Sequence, residues 1–254
     1  MNRPEPHAES PRRAWLVGAS QGMGRELAAL LADRGWQLHL SARSREALSE
    51  FAETIGAHPV AFDATDPAAT LEAAKAVFSE QPPELVIMNV GDYRPMPVAH
   101  FDPDLFYALN RTNYLAAVNL LAAVIPLMRP HGGQILLNVS AAAYRGLPQA
   151  APYSAPKAAT LHMAEALRPE LLREGIALRV INPGFVHSRL TAKNPFSMPF
   201  ILPGDEAARR IAEAIDSDRF EITFPRRLTW TLKLLRCLPY SLYFAIVNRW
   251  ILRT

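Results

Sequence analysis

The sequence has a single cysteine and no clustered histidines. Among 254 residues Cys237 stands alone, so no disulfide can form within the chain. The seven histidines are scattered without the short spacings of metal ligands, so we predict no metal site. These absences exclude a disulfide-stapled secreted module and a zinc domain, and they favour a reducing cytoplasm as the location.

Long hydrophobic runs are also missing. Residues 1–12 contain three prolines and several charges but no apolar core like that of a signal peptide, so we predict a flexible leader there. No window of about 20 residues is free of charge and proline, which argues against a bilayer-spanning helix. A composition of 50% hydrophobic and 20% charged residues is typical of a globular chain, and the length fits one domain better than two.

Acidic residues are missing from the C-terminal segment. Residues 222–254 carry six of the 27 Lys and Arg residues and none of the 24 Asp and Glu residues. These cations alternate with leucines and with Trp230, Tyr240, Tyr243, Phe244 and Trp250, so residues 225–254 are predicted to form a basic amphipathic extension. Six cations among many leucines make a poor phosphate track, so we expect no nucleic-acid partner.

The rest of the chain alternates between short apolar runs and helical apolar spacing. Predicted strands cover residues 14–18, 37–42, 59–63, 85–89, 134–140, 176–181 and 220–224. Predicted helices cover residues 25–34, 46–55, 67–79, 105–128, 153–173 and 205–215. Because the strands are apolar throughout, they indicate a parallel sheet covered on both faces. We therefore predict an α/β domain over residues 13–224 with the doubly wound Rossmann architecture.

A glycine-rich turn follows the first predicted strand. In G-A-S-Q-G-M-G, Gly18 can turn sharply, Gly22 lets a pyrophosphate approach the backbone, and Gly24 lets the helix pack against the sheet. The helix N-terminus then faces the phosphates of a dinucleotide. Three other residues of the turn are predicted to contact the same cofactor: Ser20, Gln21 and Met23.

The second predicted strand ends in S-A-R-S, where an acidic residue for the ribose of NAD would be expected. Ala42 takes that place, and Arg43 can pair with a 2′-phosphate, which favours NADP(H) over NAD(H). The alternative is that Arg43 is a solvated arginine after a strand.

These residues, with others downstream, resemble the short-chain dehydrogenases/reductases over about residues 13–224. The resemblance is carried by the glycine turn and by Asp63, Asn89, Gly91, Asn113, Ser140, Tyr153, Lys157, Pro183 and Gly184. It implies cofactor contacts by Asp63, Asn89, Gly91, Tyr153, Lys157, Pro183, Gly184, Val186 and Ser188. Three residues depart from the family pattern. Gln21 stands where NADP-preferring relatives often have a basic residue, which weakens the preference for NADP(H). Val90 replaces a small alanine, and Ser188 keeps the hydroxyl of the usual threonine.

Tyr153, Lys157 and Ser140 can carry proton chemistry. Tyrosine ionises near pH 10, so its pKa must fall by about two units for it to act as a base near pH 8. Lys157 lies at i+4 on the same helix face, where its ammonium favours the phenolate and can reach the nicotinamide ribose. Ser140 would hydrogen-bond the substrate oxygen. The resemblance implies that Asn113 holds a water in a proton relay.

The segment between Ser188 and Asp205 is apolar and resembles the mobile substrate loop of the family. An apolar lid suggests a small apolar ketone or alcohol as substrate, although a packed connector would have the same composition. For residues 225–254 two interpretations stay open. They associate with an anionic membrane at its inner face, or they pack as helices over the substrate entrance or across a subunit interface.

The sequence thus predicts an NADP-dependent oxidoreductase that transfers hydride between the cofactor and an apolar ketone or secondary alcohol. The alternative is a dinucleotide-binding scaffold or redox-sensing regulator with little turnover. The apolar helices around residues 113–128 and 153–173 resemble those through which the family forms homodimers and homotetramers, so an oligomer is expected.

Overall fold

The computed structural model of the protein describes residues 11–79, 81–194 and 197–250. The strands in these ranges are β1 (Arg13–Val17), β2 (Gln37–Ser41), β3 (His58–Pro59), β4 (Leu85–Met88), β5 (Gly133–Asn138), β6 (Ile176–Pro183) and β7 (Glu221–Phe224). The α-helices are α1 (Gly22–Asp33), α2 (Arg45–Thr54), α3 (Pro67–Phe78), α4 (Pro103–Asn110), α5 (Ala116–Met128), α6 (Ala151–Arg173), α7 (Gly204–Ala214), α8 (Arg226–Cys237) and α9 (Tyr240–Trp250).

The strands form one parallel sheet in the order β3-β2-β1-β4-β5-β6-β7. Apolar side chains from α1, α2 and α7 cover one face, and those from α3, α5 and α6 cover the other. The central strand β4 is buried at all four positions, as its continuous apolar run predicts. The predicted doubly wound Rossmann fold is confirmed.

Two helices begin at Asp-Pro pairs that fix their first turn. The Asp66 carboxylate accepts hydrogen bonds from the amides of Ala68 and Ala69 at the start of α3. Asp102 accepts one from Asp104 at the start of α4. In both helices proline occupies the first turn, where its missing N–H costs nothing.

The structure corrects two predicted elements. The strand predicted at residues 59–63 is only His58–Pro59, although Val60 and Phe62 still donate to carbonyls of the β2 region. The helix predicted at residues 105–128 is interrupted by a π-helical turn, Arg111–Leu115, between α4 and α5. The extra residue in that turn places Asn113 in the buried interior, beside the loop after β4.

The run from Pro103 to Met128 is also long and apolar enough to cross a membrane by length and composition. In the fold, however, its α5 part lies against the sheet beside α3, with Leu120, Val124 and Met128 fully buried. The α5 segment is therefore buried in the way that a core helix of an α/β domain is buried.

The predicted extension begins with α8 and α9, which pack over the loop that follows β5. Tyr243 and Val247 of α9 are buried, and the Tyr243 hydroxyl donates to the carbonyl oxygen of Gly146. The guanidinium carbon of Arg145 lies 4.5 and 4.3 Å from the ring centroids of Tyr240 and Tyr243, a cation–π arrangement. The extension therefore contacts the α/β domain directly.

At the other end of the chain, residues 1–10 of the predicted leader lie outside the described residues. Arg12 is held on the domain: its guanidinium lies 2.5 Å from a Glu84 oxygen and 2.8 Å from an Asp216 oxygen. The boundaries of the leader and the extension stay predictions.

Candidate active site

The carboxyl ends of the central strands open into a cleft of about 2020 Å³. Every predicted site residue except Gly24 and Asn113 lines it. Ligand pockets for one small molecule usually measure about 300–1,000 Å³, so this cleft has room for a dinucleotide and a second molecule. Its position at the switch in strand order, between β1 and β4, is where open α/β sheets bind ligands.

The glycine turn closes one end of the cleft. Gly18 has φ of +95°, and a Cβ there would lie 2.8 Å from the carbonyl carbon of Asn89. At Gly24 a Cβ would lie only 2.2 Å from the carbonyl oxygen of Gly18, which explains how α1 packs so closely. Asn89 donates its side-chain amide to that same oxygen at 3.0 Å. Two of the glycines thus serve close packing.

The third glycine leaves the cradle open toward a ligand. Gly22 has φ of +55°, and among the described residues a Cβ there would approach only Cβ of Ser188, at 3.9 Å. Together with Ser20, Gln21 and Met23, Gly22 places the amide end of α1 against the cleft. Neither the Gln21 side chain nor an acidic residue in the first turn caps this helix end. These features fit a bound pyrophosphate.

Arg43 and Asp63 lie in the same wall, next to the glycine turn. Asp63 accepts a hydrogen bond from the amide of Thr65 at 2.9 Å. Although burial raises the pKa of Asp63, that hydrogen bond and the charges of Arg43 and Arg111 lower it below its ordinary value. An ionised Asp63 can accept hydrogen bonds from an adenine edge, and exposed Arg43 can reach an anionic group beside it.

Tyr153 faces the cleft from the first turns of α6. The Ser140 side chain lies near its hydroxyl, and the ring of Tyr93 meets the Tyr153 ring edge-on with centroids 5.1 Å apart. Ser140 follows β5, and its hydroxyl accepts a hydrogen bond from the amide of Ala142 at 3.1 Å. The structure thus brings Tyr153 and Ser140 together in one part of the cleft.

Lys157 lies one turn after Tyr153 on α6 and is buried. Its Nζ donates to the main-chain oxygen of Asn138 at 2.8 Å and lies 5.9 Å from the centroid of the Tyr153 ring. A Cβ at Gly91 would lie 3.6 Å from this Nζ and 3.0 Å from Oδ1 of Asn113. Gly91 therefore lies between the two side chains, where a larger residue would intrude.

Burial is the main cause of the pKa shifts of Tyr153 and Lys157. Burial raises the pKa of Tyr153, and the nearby Ser140 side chain acts in the opposite direction without cancelling that effect. Burial also lowers the pKa of Lys157 to about 7. The predicted lowering of the Tyr153 pKa by Lys157 is therefore wrong for the structure as described, because the loss of hydration outweighs the other interactions.

Asn113 organises the floor of the site from behind the cleft. Its side-chain amide donates to the carbonyl oxygens of Asp92 and Leu109 at 2.9 and 3.0 Å, and its Oδ1 accepts from the amide of Asp92 at 3.2 Å. The main-chain oxygen of Asn113 accepts from Thr160 of α6 at 3.1 Å. Asn113 thus ties the loop after β4 to the helix that carries Tyr153 and Lys157.

The segment after β6 forms the opposite wall. Pro183, Gly184, Val186 and Ser188 all line the cleft. Ser188 Oγ accepts a hydrogen bond from the amide of Thr191 at 3.2 Å, which begins a 3-10 turn, Thr191–Lys193. In the apolar loop that follows, Pro195 and Phe196 lie outside the described residues, while Leu190, Ser197 and Pro199 line the cleft.

A family model described as "short chain dehydrogenase" matches residues 12–196. The chain belongs to the short-chain dehydrogenase/reductase family. As a member, it is an oxidoreductase that depends on a nicotinamide dinucleotide.

Relatives of this short-chain dehydrogenase support the assignment. An uncharacterized oxidoreductase of Myxococcus xanthus is 34% identical over 94% of this chain and 98% of its own length. A short-chain dehydrogenase of Burkholderia cenocepacia, solved in complex with NADP, superposes with a TM-score of 0.83 at 25% identity, covering 94% of this chain and 98% of its own. One from Burkholderia phymatum, solved with NAD, has the same fold (TM-score 0.80, 20% identity, 89% and 92% covered).

Sequence reasoning missed several residues of the site. Asn138 orients Lys157 through its carbonyl and donates its side-chain amide to Oδ1 of Asn89 at 2.7 Å. The only sequence signal for it was its position two residues before Ser140. Leucines of α8 also line the cleft, and their spacing of three to four residues was visible in the sequence: Leu228, Leu232 and Leu235.

Proposed function

We propose that this dehydrogenase uses NADP(H) to interconvert an apolar ketone and its secondary alcohol, with reduction as the favoured direction. The observation that carries the proposal is the position of Tyr153, beside Ser140 and Lys157 in one cleft that ends at the glycine turn. A nicotinamide cofactor, when bound, supplies or accepts the hydride. The side chains of the protein must supply or accept the proton that accompanies this hydride.

In reduction, Tyr153 donates its phenolic proton to the carbonyl oxygen as that oxygen gains negative charge. The Ser140 hydroxyl hydrogen-bonds the same oxygen and stabilises the developing charge. Lys157, held by Asn138, stabilises the phenolate that Tyr153 becomes. The Lys157 amine can do this only when it is protonated. Asn113 holds the loop of Asp92 and Gly91 in place beside Lys157.

The preference for NADP(H) depends on Arg43. No acidic residue follows β2 to accept the ribose hydroxyls of NAD, because the sequence there is S-A-R-S. The exposed guanidinium of Arg43, in the wall of the cleft beside Asp63, supports recognition of a 2′-phosphate.

Replacing Arg43 with alanine should lower the affinity for NADPH by about 10- to 100-fold, the value of one charge-assisted hydrogen bond. The affinity for NADH should stay nearly the same, because NADH lacks the 2′-phosphate. Fluorescence titration of both cofactors measures the two affinities. Arg45→Ala is the matched control, since Arg45 is also exposed but does not line the cleft. Equal losses for NADPH and NADH would contradict the assignment.

The substrate end of the cleft favours an apolar molecule. Its lining includes Leu147, Pro148, Leu190, Pro199, Leu228, Leu232 and Leu235. Removing an apolar surface from water stabilises a bound ligand by roughly 25 cal/mol per Å², so these side chains favour a hydrocarbon-rich carbonyl. A spectrophotometric screen of NADPH consumption with methyl ketones of increasing chain length, cyclic ketones and aromatic ketones tests this. No NADPH consumption with any of them would favour the scaffold or redox-sensing alternative.

We also propose that the extension binds an anionic membrane surface peripherally. Trp230 and Leu234 on α8 and Tyr240 and Phe244 on α9 are each more than half exposed, although they are apolar or aromatic. Exposed cations surround them at Arg226, Arg227, Arg236 and Arg249. An extension bound in this way would hold a cytoplasmic enzyme at the inner face of a membrane, which is the location predicted from the sequence.

The double substitution Trp230→Ser/Phe244→Ser should reduce binding to vesicles of mixed phosphatidylglycerol and phosphatidylcholine by at least about tenfold, because two large apolar side chains no longer enter the interface. Co-sedimentation of the full-length protein measures this. Phe101→Ser is the control, since Phe101 is similarly exposed elsewhere. An absence of wild-type binding would overturn the proposal.

The homodimer or homotetramer predicted from the sequence stays a prediction.

A further inference from the structure

A polar cluster links the C-terminal extension to the loop of Ser140. Its centre is the carboxylate of Glu221, at the start of β7, which is largely shielded from solvent. Oε1 of Glu221 accepts hydrogen bonds from the Tyr144 hydroxyl and from the Asn182 side-chain amide, the latter at 2.6 Å. Oε2 forms an ion pair with Nζ of Lys233, which comes from α8. One carboxylate thus joins three segments of the chain.

The next link leads from Asn182 to Ser140. Asn182 is completely buried in β6, and its Oδ1 accepts a hydrogen bond from the main-chain amide of Ser140 at 3.2 Å. An amide side chain can present its oxygen to Ser140 only while its NH₂ group is turned toward Glu221. The orientation of Asn182, and with it the anchor of the Ser140 backbone, therefore depends on an ionised and fixed Glu221.

Tyr144 makes a second connection from the same loop. It lies directly after the 3-10 turn Ala141–Ala143 that Ser140 caps. Its hydroxyl contacts Glu221 and Thr223, and Nζ of Lys233 lies 5.3 Å from its ring centroid. Both ends of the serine loop are thus held by Glu221, one through Asn182 and one through Tyr144.

We propose that Lys233 is a positioning residue for Ser140, acting through Glu221, Asn182 and Tyr144. Lys233 supplies the positive charge that keeps Glu221 ionised and in place in a poorly hydrated setting. Without it, a shielded carboxylate loses its counter-charge, and the loop of Ser140 loses the fixed acceptor that holds both of its ends. The extension is then a part of the catalytic apparatus. This inference rests on the proposed role of Ser140.

Lys233→Met tests the inference with two readouts. Hydrogen–deuterium exchange of the main-chain amides in residues 140–146 should accelerate by at least about tenfold, since a charge-assisted hydrogen bond is lost. With the ketone from the NADPH screen that is turned over fastest, kcat should fall about tenfold while the NADPH affinity is unchanged. Lys233→Arg should restore both values toward wild type, because it keeps the charge.

Arg236→Met is the matched control, because Arg236 is an exposed cation on the same helix and outside the cluster. Exchange in residues 140–146 that is unchanged in Lys233→Met, or equally accelerated in Arg236→Met, would overturn the inference. If Lys233→Met does not fold by circular dichroism, Lys233→Gln is measured in its place. If the wild type reduces no carbonyl, the proposed function fails, while the exchange experiment still decides whether Lys233 holds the serine loop.

Discussion

Tyr153→Phe is expected to lower kcat for carbonyl reduction by about 10³-fold and to leave the affinity for NADPH nearly unchanged. Phenylalanine keeps the ring and its edge-on contact with Tyr93 but removes the hydroxyl that lies in the cleft beside Ser140. Positioned proton transfer contributes about 10²- to 10⁴-fold to enzymatic rates. Burial raises the pKa of Tyr153, so the hydroxyl is protonated at neutral pH and suited to donate in the reductive direction.

Tyr93→Phe is the control for this substitution. Tyr93 is also a tyrosine of the cleft, and burial also raises its pKa, but its hydroxyl is not assigned to the proton step. Steady-state kinetics and NADPH titration of the two variants separate chemistry from binding. If Tyr153→Phe kept wild-type turnover, the mechanism would fail. If the wild type bound NADPH but turned over no carbonyl, the scaffold or redox-sensing alternative would replace it.

The fold and the main lines of the site could be predicted because local patterns encode them. Apolar runs without alternation predicted the buried parallel strands, as in β4. The glycine spacing predicted the turn at Gly18, where the backbones of β1 and β4 meet too closely for a side chain. The spacing of Tyr153 and Lys157 on one helix placed both on the face toward the cleft.

Contacts between distant segments could not be predicted in the same way. Nothing near Asn113 in the sequence indicates a π-helical turn, because the turn is stabilised by hydrogen bonds to Asp92, more than 20 residues away. Arg179 would be expected on the surface, yet it is buried. It donates to carbonyl oxygens at the end of α7 and in the connection to β7, those of Ala214, Ile215 and Arg219. Only the folded topology brings these partners together.

The pKa shifts in the site also could not be predicted from the sequence. Spacing alone indicated that Lys157 would lower the pKa of Tyr153, but the burial of both groups decides the direction in which each pKa shifts.

The position of the extension could not be predicted either, because its composition indicated a surface segment. In the fold, α8 gives three leucines to the cleft and Lys233 to Glu221, while Trp230 and Leu234 stay exposed. One amphipathic helix can therefore line the cleft and present a second apolar face to solvent.

Lys157→Met is expected to lower turnover by at least about 10²-fold and, at neutral pH, to increase the stability of the fold. Turnover falls because no ammonium remains to stabilise the phenolate of Tyr153. Stability rises because the buried amine is costly to keep charged, as its pKa of about 7, well below the ordinary 10.5, indicates. Met fills a similar volume without that cost, although Asn138 loses a hydrogen bond to its carbonyl oxygen.

The stability effect has a defined pH dependence. Below pH 7 the amine is protonated in both the folded and the unfolded chain, so the full cost of burying the charge is present. Between pH 7 and 10.5 the unfolded chain keeps a proton that the folded chain has lost, so the free energy of unfolding rises with pH. From pH 7 to pH 9.5 the wild type should gain on the order of 3 kcal/mol more than Lys157→Met.

Urea unfolding of both proteins at the two pH values measures this difference, with Lys75→Met as the control for removing an exposed lysine. Other groups titrate equally in all three proteins, so the difference between the curves isolates Lys157. Parallel curves for wild type and Lys157→Met would mean that the amine stays charged and well solvated in the fold. A variant that is more stable but nearly inactive would instead identify Lys157 as a residue that the fold accommodates at a cost because the chemistry requires it.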